Sequence, residues 1–437
     1  MSAKKRILNI LFWSVVSAAF IGPGTITTAA KSGAAFGTDL LWALVFSTFA
    51  CLLLQEAAAR LTIISGKNLG QAIVQQFEKS KSKLFIIFLV LGAIVLGAAA
   101  YEMGNFLGAV AGFHLIFNIP PYILVLIIGV VSAIILNIPS LKIISTILGL
   151  VVVLMGIGFL ITAILVQPSF IEIAKGAFIP RLPKSANAGV LVLGLIGTTI
   201  VPYNLFLGSG ISNKNQSVKE MRFGLVIAIL LGGLFSMAVL IVGTSVVGEF
   251  SFDELALALQ EEIGTSGKYL LGFGLFAAGF TSAVTAPLAA AITIKSLFGN
   301  KNPEKWKPNS INFKLGWIVV LLSGIGFAIG NVKPIPAIIL AQALNGFLLP
   351  FVSIFLFVVI NNRKITKSKT NPFILNIAMI FVIFVTLVLG LNSATKVFFS
   401  IFRIEILNGN LLLFILSIIS AIVSIFIWIK AKPNAKI

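Results

Sequence analysis

The chain has 437 residues, 58% of them hydrophobic and 10% charged, with 37 Phe, one His and a formal charge of +19 from 32 Lys and Arg against 13 Asp and Glu. Soluble globules run at about 45–50% apolar and about 25% charged, so these values exclude a cytosolic globule, a disordered tail and a disulfide scaffold. A polytopic membrane protein remains.

A helix needs about 20 apolar residues to cross the hydrocarbon core. In chain order the predicted spans are 8–36, 39–64, 84–112, 121–139, 143–166, 189–212, 223–248, 268–298, 315–331, 336–361, 372–391 and 411–430. That makes twelve, or eleven without the last. The basic start, Lys4-Lys5-Arg6, leads into an apolar stretch with no small-residue cleavage site, so it reads as the first span and not as a leader. Cys51 sits inside an apolar run and reads as a small core hydrophobe. His114 falls in a short outer gap without a ligand partner.

Gaps on the side of the N-terminus hold about three times as many Lys and Arg as the opposite gaps, which puts the N-terminus in the cytoplasm. This pattern also accounts for the charge without nucleic acid as a partner. The outer gap after the seventh span carries Glu249, Asp253, Glu254, Glu261 and Glu262. Its apolar residues Phe252, Leu255, Leu259 and Ile263 recur at helical spacing, predicting an amphipathic surface helix.

Two spans are interrupted. The first contains Gly22-Pro23-Gly24-Thr25 with Thr27 and Thr28; the sixth contains Gly197-Thr198-Thr199-Ile200-Val201-Pro202-Tyr203-Asn204. They occupy matching places in two five-span halves, and an odd number of spans inverts the second half relative to the first. Paired interruptions in inverted halves point to a midplane site in a secondary transporter, with unwound carbonyls for cations and half-helix N-termini for anions. The expected organisation is one transmembrane domain over 1–437: a first repeat 8–166, a second 189–361 and extra C-terminal helices 372–430. No phosphate-binding loop is present, so either a gradient supplies the energy or the protein only equilibrates its substrate. No metal-ligand cluster or nucleophile–base pair suggests an enzyme, and no cofactor is implied.

At these motifs the chain resembles the Nramp family of proton-coupled divalent metal transporters. The resemblance is carried by Gly22-Pro23-Gly24-Thr25 through Gly33-Ala34-Ala35-Phe36-Gly37 and Leu40-Leu41-Trp42, and by Ser65-Gly66-Lys67-Asn68-Leu69. It continues in Pro202, Asn204-Leu205-Phe206-Leu207 and Ser209, in Ala277-Ala278-Gly279 with Ser282 and Thr285, and in Ala341-Gln342 with Leu349-Pro350-Phe351. The resemblance implies an all-α integral membrane protein of the LeuT fold, with broken first and sixth helices and 11–12 transmembrane helices. It implies transport of a cation by alternating access, with protons as the coupling ion. A monomer is expected, and with no organelle signal in the sequence the expected setting is a bacterial plasma membrane.

The departures from the family pattern define the site. Where the family binds metal with Asp and Asn of the first break, this chain has Gly22 and Thr25; where it has Met before Pro-His, this chain has Val201, Pro202 and Tyr203. The remaining expected ligands are Thr25, Thr198, Thr199, backbone carbonyls at the breaks, and Gln342, which matches a tenth-helix Gln of the family. Neutral oxygens suit a hard, hydrated cation of the Mg²⁺ or Mn²⁺ kind, or a small polar organic solute such as an amino acid. Glu102 matches an acidic residue of the family's proton route, beside Asn105 and Tyr203. Glu56 and Arg60, four apart on one helix face, are expected to pair and to act as packing or as an inner gate. Lys31, about two turns past the first break, can reach the outer interface, replace a coupling cation or favour an anionic group on a solute.

Overall fold

The computed structural model describes residues 3–117, 119–166, 168–185, 188–212, 214–299, 302–330, 332–401 and 409–431. The basic residues Arg403, Lys432 and Lys436, used in the charge count, lie outside them. All regular structure among the described residues is helical.

The first span is two helices, α1 (Ala3–Phe20) and α2 (Pro23–Phe36), bent by 62° at the break. α3 (Leu41–Ser65) returns and ends at Gly66, whose φ of 74° suits a residue without Cβ. α4 (Leu69–Gln76) and α5 (Lys83–Ile116) follow, then α6 (Pro121–Leu136), α7 (Leu141–Leu165) and α8 (Phe170–Phe178). The sixth span is α9 (Ala188–Thr199) and α10 (Pro202–Ile211). Next come α11 (Val218–Gly243), α12 (Phe252–Ile263), α13 (Ser266–Phe298), α14 (Ile311–Ile329) and α15 (Pro334–Ile360). The short α16 (Arg363–Thr366) leads to α17 (Phe373–Ile401) and α18 (Gly409–Ala431).

Among the described residues ten helical spans are long and apolar enough to cross a membrane, eleven with the bent pair α1–α2, and α6 is a shorter apolar helix where 121–139 is predicted. Proline opens α2, α6, α10 and α15, at positions where its missing N–H has no intrahelical partner to lose. The two interruptions differ: α1 and α2 diverge sharply, whereas α9 and α10 run on as one span over Ala188–Ile211.

Burial orders the helices. In α9–α10 94% of the most apolar window is buried and in α13 89%, against 28% in α17 and 22% in α18. The centre is therefore α9, α10 and α13, and the C-terminal pair is peripheral. Small residues let the central helices approach: a Cβ on Gly279 of α13 would stand 2.5 Å from the Cβ of Ala109 on α5. The acidic segment after α11 is the expected amphipathic helix, α12, with Phe252, Leu255 and Leu259 buried and Asp253, Glu254, Glu261 and Glu262 exposed. Ser251 caps it by accepting from Glu254 N at 3.0 Å.

Three features differ from the sequence reading. His114 belongs to the last turn of α5, which runs four residues beyond the predicted end of its span, and not to a loop. The gaps 65–83 and 167–188 contain α4 and α8. α4 forms because Asn68 and Gln71 make a reciprocal capping box, and because Leu69 N donates to Ser209 Oγ of α10 at 2.7 Å. Thr62 of α3 reaches the same hydroxyl at 2.8 Å, so the segment Ser65–Leu69 ties α3 and α4 to α10.

Candidate transport site

The site is built where the breaks of the first and sixth spans meet. Gly22 is extended (φ −104°, ψ −176°), and its carbonyl accepts from Thr25 N at 3.0 Å and Ile26 N at 3.2 Å, which starts α2. Val201, extended at φ −82° and ψ 125°, plays the same part before α10, accepting from Asn204 N at 3.0 Å. The two breaks touch through side chains: Thr25 Oγ1 lies 2.7 Å from Thr198 Oγ1.

Hydrogen counting gives this contact a direction. Thr25 Oγ1 has one hydrogen and donates it to Phe20 O at 2.5 Å, so Thr198 must donate to Thr25. Tyr101 of α5 then donates to Thr198, at 3.2 Å to the hydroxyl or 3.3 Å to the carbonyl. A chain from Tyr101 through Thr198 and Thr25 to Phe20 crosses the centre of the molecule. Each threonine oxygen keeps an unused lone pair.

The last carbonyls of α1, which the sequence reading left open for a cation, are each met by a side chain. Ala18 O accepts from Ser282 of α13 at 3.1 Å, Ala19 O from Tyr203 at 3.4 Å and Phe20 O from Thr25. Asn204 holds Val16 O one turn earlier at 2.9 Å. A helix C-terminus inside a bilayer needs such partners. A cation bound here uses the second lone pairs of these carbonyls or displaces their donors.

Gln342 of α15 completes the centre. It is 1% exposed, and a Cβ on Gly24 would lie 1.8 Å from its Nε2, so only glycine at position 24 leaves room for the amide. Its Oε1 has no hydrogen-bond partner. Thr27 and Thr28 of α2 are buried with unpartnered hydroxyls, and Thr28 packs against Gly194 of α9 beside Gln342. These free acceptors lie on one seam between α2, α9 and α15.

Glu102 is fully buried. Its Oε2 accepts from Asn105 Nδ2 at 3.0 Å, and its Oε1 is unpartnered. Asn105 in turn faces Gly22, its Oδ1 3.5 Å from where a Cβ would stand, so one amide links the carboxyl to the break. Tyr203 stacks edge-on with Tyr101 at 5.5 Å and 83°. Gly22, Thr25, Thr198, Val201, Gln342, Asn105 and Tyr203 thus converge, with Glu102 one contact away.

Lys31 and the pair Glu56–Arg60 stand apart. Lys31 is half-buried, seven residues and so about 10 Å along α2 from Gly24, on the same helix face. No ion pair holds it among the described residues. Glu56 and Arg60 do pair, Nε to Oε1 at 2.9 Å, and the cluster is larger than expected. Arg222 of α11 binds Glu56 from the other side at 2.8 Å, and Arg60 also bonds Asn371, ahead of α17. Arg222 was only one more basic residue in the charge count; nothing in the linear order brings it to Glu56.

A family model described as Natural resistance-associated macrophage protein-like matches residues 14–396. The chain belongs to the Nramp family. Among solved structures, a manganese transporter of Eremococcus coleocola in complex with an aromatic bis-isothiourea substituted compound superposes with a TM-score of 0.76 at 22% identity, covering 98% of this chain and 94% of that one. A nucleobase-cation-symport-1 family transporter in a closed conformation superposes with a TM-score of 0.59 at 15% identity, covering 97% and 92%. This Nramp protein therefore shares its fold with a wider set of LeuT-type transporters. It is an integral membrane transporter of a metal cation and not an enzyme. Among the described residues no three His, Cys, Asp or Glu side chains gather to hold a metal.

Proposed function

We propose that this Nramp protein is a secondary active transporter that moves a hard divalent cation of the Mg²⁺ or Mn²⁺ kind by alternating access, as a monomer in a bacterial plasma membrane with its N-terminus in the cytoplasm. Residues 8–166 and 189–361 act as the inverted halves, and 372–430 are an addition. The observation that carries the reading is the convergence of Thr25, Thr198 and Gln342 where both broken spans meet. Hydroxyl, amide and carbonyl oxygens are hard donors, and the absence of a thioether or imidazole among them removes the preference for softer metals. The half-helix geometry also serves organic solutes in this fold, but Gln342 Oε1 and the Thr27 and Thr28 hydroxyl oxygens stand unpartnered beside the break, and oxygen acceptors of this kind favour a cation.

Glu102 is the proposed proton carrier, with Asn105 and Tyr203 lining its route to the break. The Glu56–Arg60–Arg222 cluster is the proposed gate on the face where α1 begins. The fixed charge of Lys31 is proposed to hold back excess cations on the opposite approach.

Proteoliposomes test both parts. The reading expects saturable uptake of divalent ions that other divalent ions compete with and amino acids do not. With a trapped pH reporter, metal entry is accompanied by acidification in the wild type, whereas Glu102→Gln carries metal without it. Equal acidification by Glu102→Gln would remove Glu102 from the proton route. Uptake competed by amino acids alone would overturn the cation reading.

A further inference from the structure

The tenth-span helix carries a second buried amide that neither the family resemblance nor the site above uses. Asn345 lies three residues after Gln342 on α15, on the same side of the helix, and is 1% exposed. Neither its Oδ1 nor its Nδ2 has a hydrogen-bond partner. Exchanging the two atoms therefore does not rescue it, in contrast to Asn204, whose Oδ1 alone is free. Buried polar groups in folded proteins are almost always paired, and more strictly so in a bilayer.

Across from Asn345 stands Gly97 of α5, where a Cβ would lie 3.1 Å from Oδ1. One turn along the same face of α5 is Tyr101, the first donor of the hydroxyl chain. α5 leads from Gly97 to Tyr101 and α15 from Gln342 to Asn345 in opposite directions. Asn345 therefore sits one helical turn beyond Gln342, toward the membrane face on which α1 begins. A bare cation would satisfy the carbonyl oxygen and repel the amino group. Water, or the hydration shell of an ion, satisfies both: its hydrogens meet Oδ1 and its oxygen accepts from Nδ2.

We propose that Asn345, facing Gly97, forms a second binding position on the transport path, which holds the cation through its hydration water as it leaves Gln342 toward the face where α1 begins. The proposal rests on the transport reading above. It also narrows the cargo: a path that binds water by an amide favours ions that keep part of their shell, as Mg²⁺ does.

The test pairs transport with stability. Asn345→Leu removes both polar atoms at similar volume. Because they bond nothing in the protein, its melting temperature is expected to match or exceed that of the wild type, while Mn²⁺ and Mg²⁺ uptake falls about tenfold, the loss that follows from one ligand interaction. Asn345→Asp, which keeps the acceptor and the size, is expected to retain uptake and to shift selectivity toward divalent over monovalent ions. Gly97→Ala narrows the same space from α5 without touching the amide and is expected to slow uptake in parallel. Uptake by Asn345→Leu equal to wild type, or a loss of uptake matched by a loss of melting temperature, overturns the proposal. Should Asn345→Leu not fold, Asn345→Cys in a Cys51→Ser background decides. Protection of the thiol from a charged reagent by Mn²⁺ supports the site, and modification indifferent to Mn²⁺ refutes it. Wild-type vesicles in the same assay separate this outcome from failure of the transport reading itself, which would show as no metal flux at all.

Discussion

Replacing Glu56 with Ala is expected to destabilise the protein by about 3 kcal/mol, the cost of leaving a buried charge without its partner. Glu56 is held between two guanidiniums, Arg60 at 2.9 Å and Arg222 at 2.8 Å. The Arg60 side chain is 6% exposed, so water cannot take over for the lost carboxylate, whereas Arg222 at 50% can turn to solvent. The whole penalty therefore falls on Arg60, whose remaining partner is Asn371. Thermal unfolding of the detergent-purified protein checks this, and Glu56→Ala/Arg60→Met together should regain most of the loss because no charge is left stranded. A single variant melting with the wild type would mean that the cluster carries no net stability. The cluster joins α3 to α11 and reaches the entrance of α17, so its loss should also bias the protein toward the state open on that face.

The second large effect is expected at Gly24. A methyl group there would sit 1.8 Å from Gln342 Nε2 and 2.3 Å from its Cδ, so Gly24→Ala must push the amide off the centre. Overpacking of this kind costs about 1–3 kcal/mol. The functional loss should be larger, on the order of 10–100-fold in metal uptake, because displacing a ligand is equivalent to deleting it. Gln342→Ala should lose transport to the same degree while folding normally. The double variant Gly24→Ala/Gln342→Ala should recover stability and no transport, a non-additive pattern that marks two residues acting through one contact. Independent, multiplying losses would show that Gly24 matters for some reason other than Gln342.

These two cases show where the sequence is legible. Spans could be read because crossing a bilayer demands length and apolarity that few other segments have, and Gly22-Pro23 announces its break because neither residue sustains a helix. The ion pair of Glu56 and Arg60 is local, four residues apart, and so predictable. Arg222 and Asn371 complete it from distant parts of the chain, and no periodicity encodes that meeting. The same holds for Ser282, which comes from α13 to cap Ala18 O. α4 and α8 escaped notice because helices of eight and nine residues hold too few turns for an apolar period to stand out from the flanking loops. The unequal bends at the two breaks follow a difference in the sequence: glycines flank Pro23 in the first, whereas Ile200 and Val201 precede Pro202 in the sixth. Asn345 is one polar letter in an apolar run. Its significance appears only when both amide atoms prove to be unpartnered.

The site was legible as a set of replacements: Gly22 for an acid, Thr25 for an amide, Val201 for a thioether. What the structure adds is the wiring. Thr25 and Thr198 bond each other, Tyr101 donates into the pair, and the α1 carbonyls are already engaged. A cation at this point meets a neutral cage whose nearest carboxyl, Glu102, is one amide away.

Concentration-dependent initial rates of Mn²⁺ and Mg²⁺ uptake into proteoliposomes, wild type beside Gln342→Leu, test this account most directly. A saturable flux in the wild type that falls at least about tenfold in Gln342→Leu, with both proteins equally folded, is the expected result. Correctly folded wild-type protein that carries neither ion, or a Gln342→Leu variant that carries both as well as the wild type does, would contradict it.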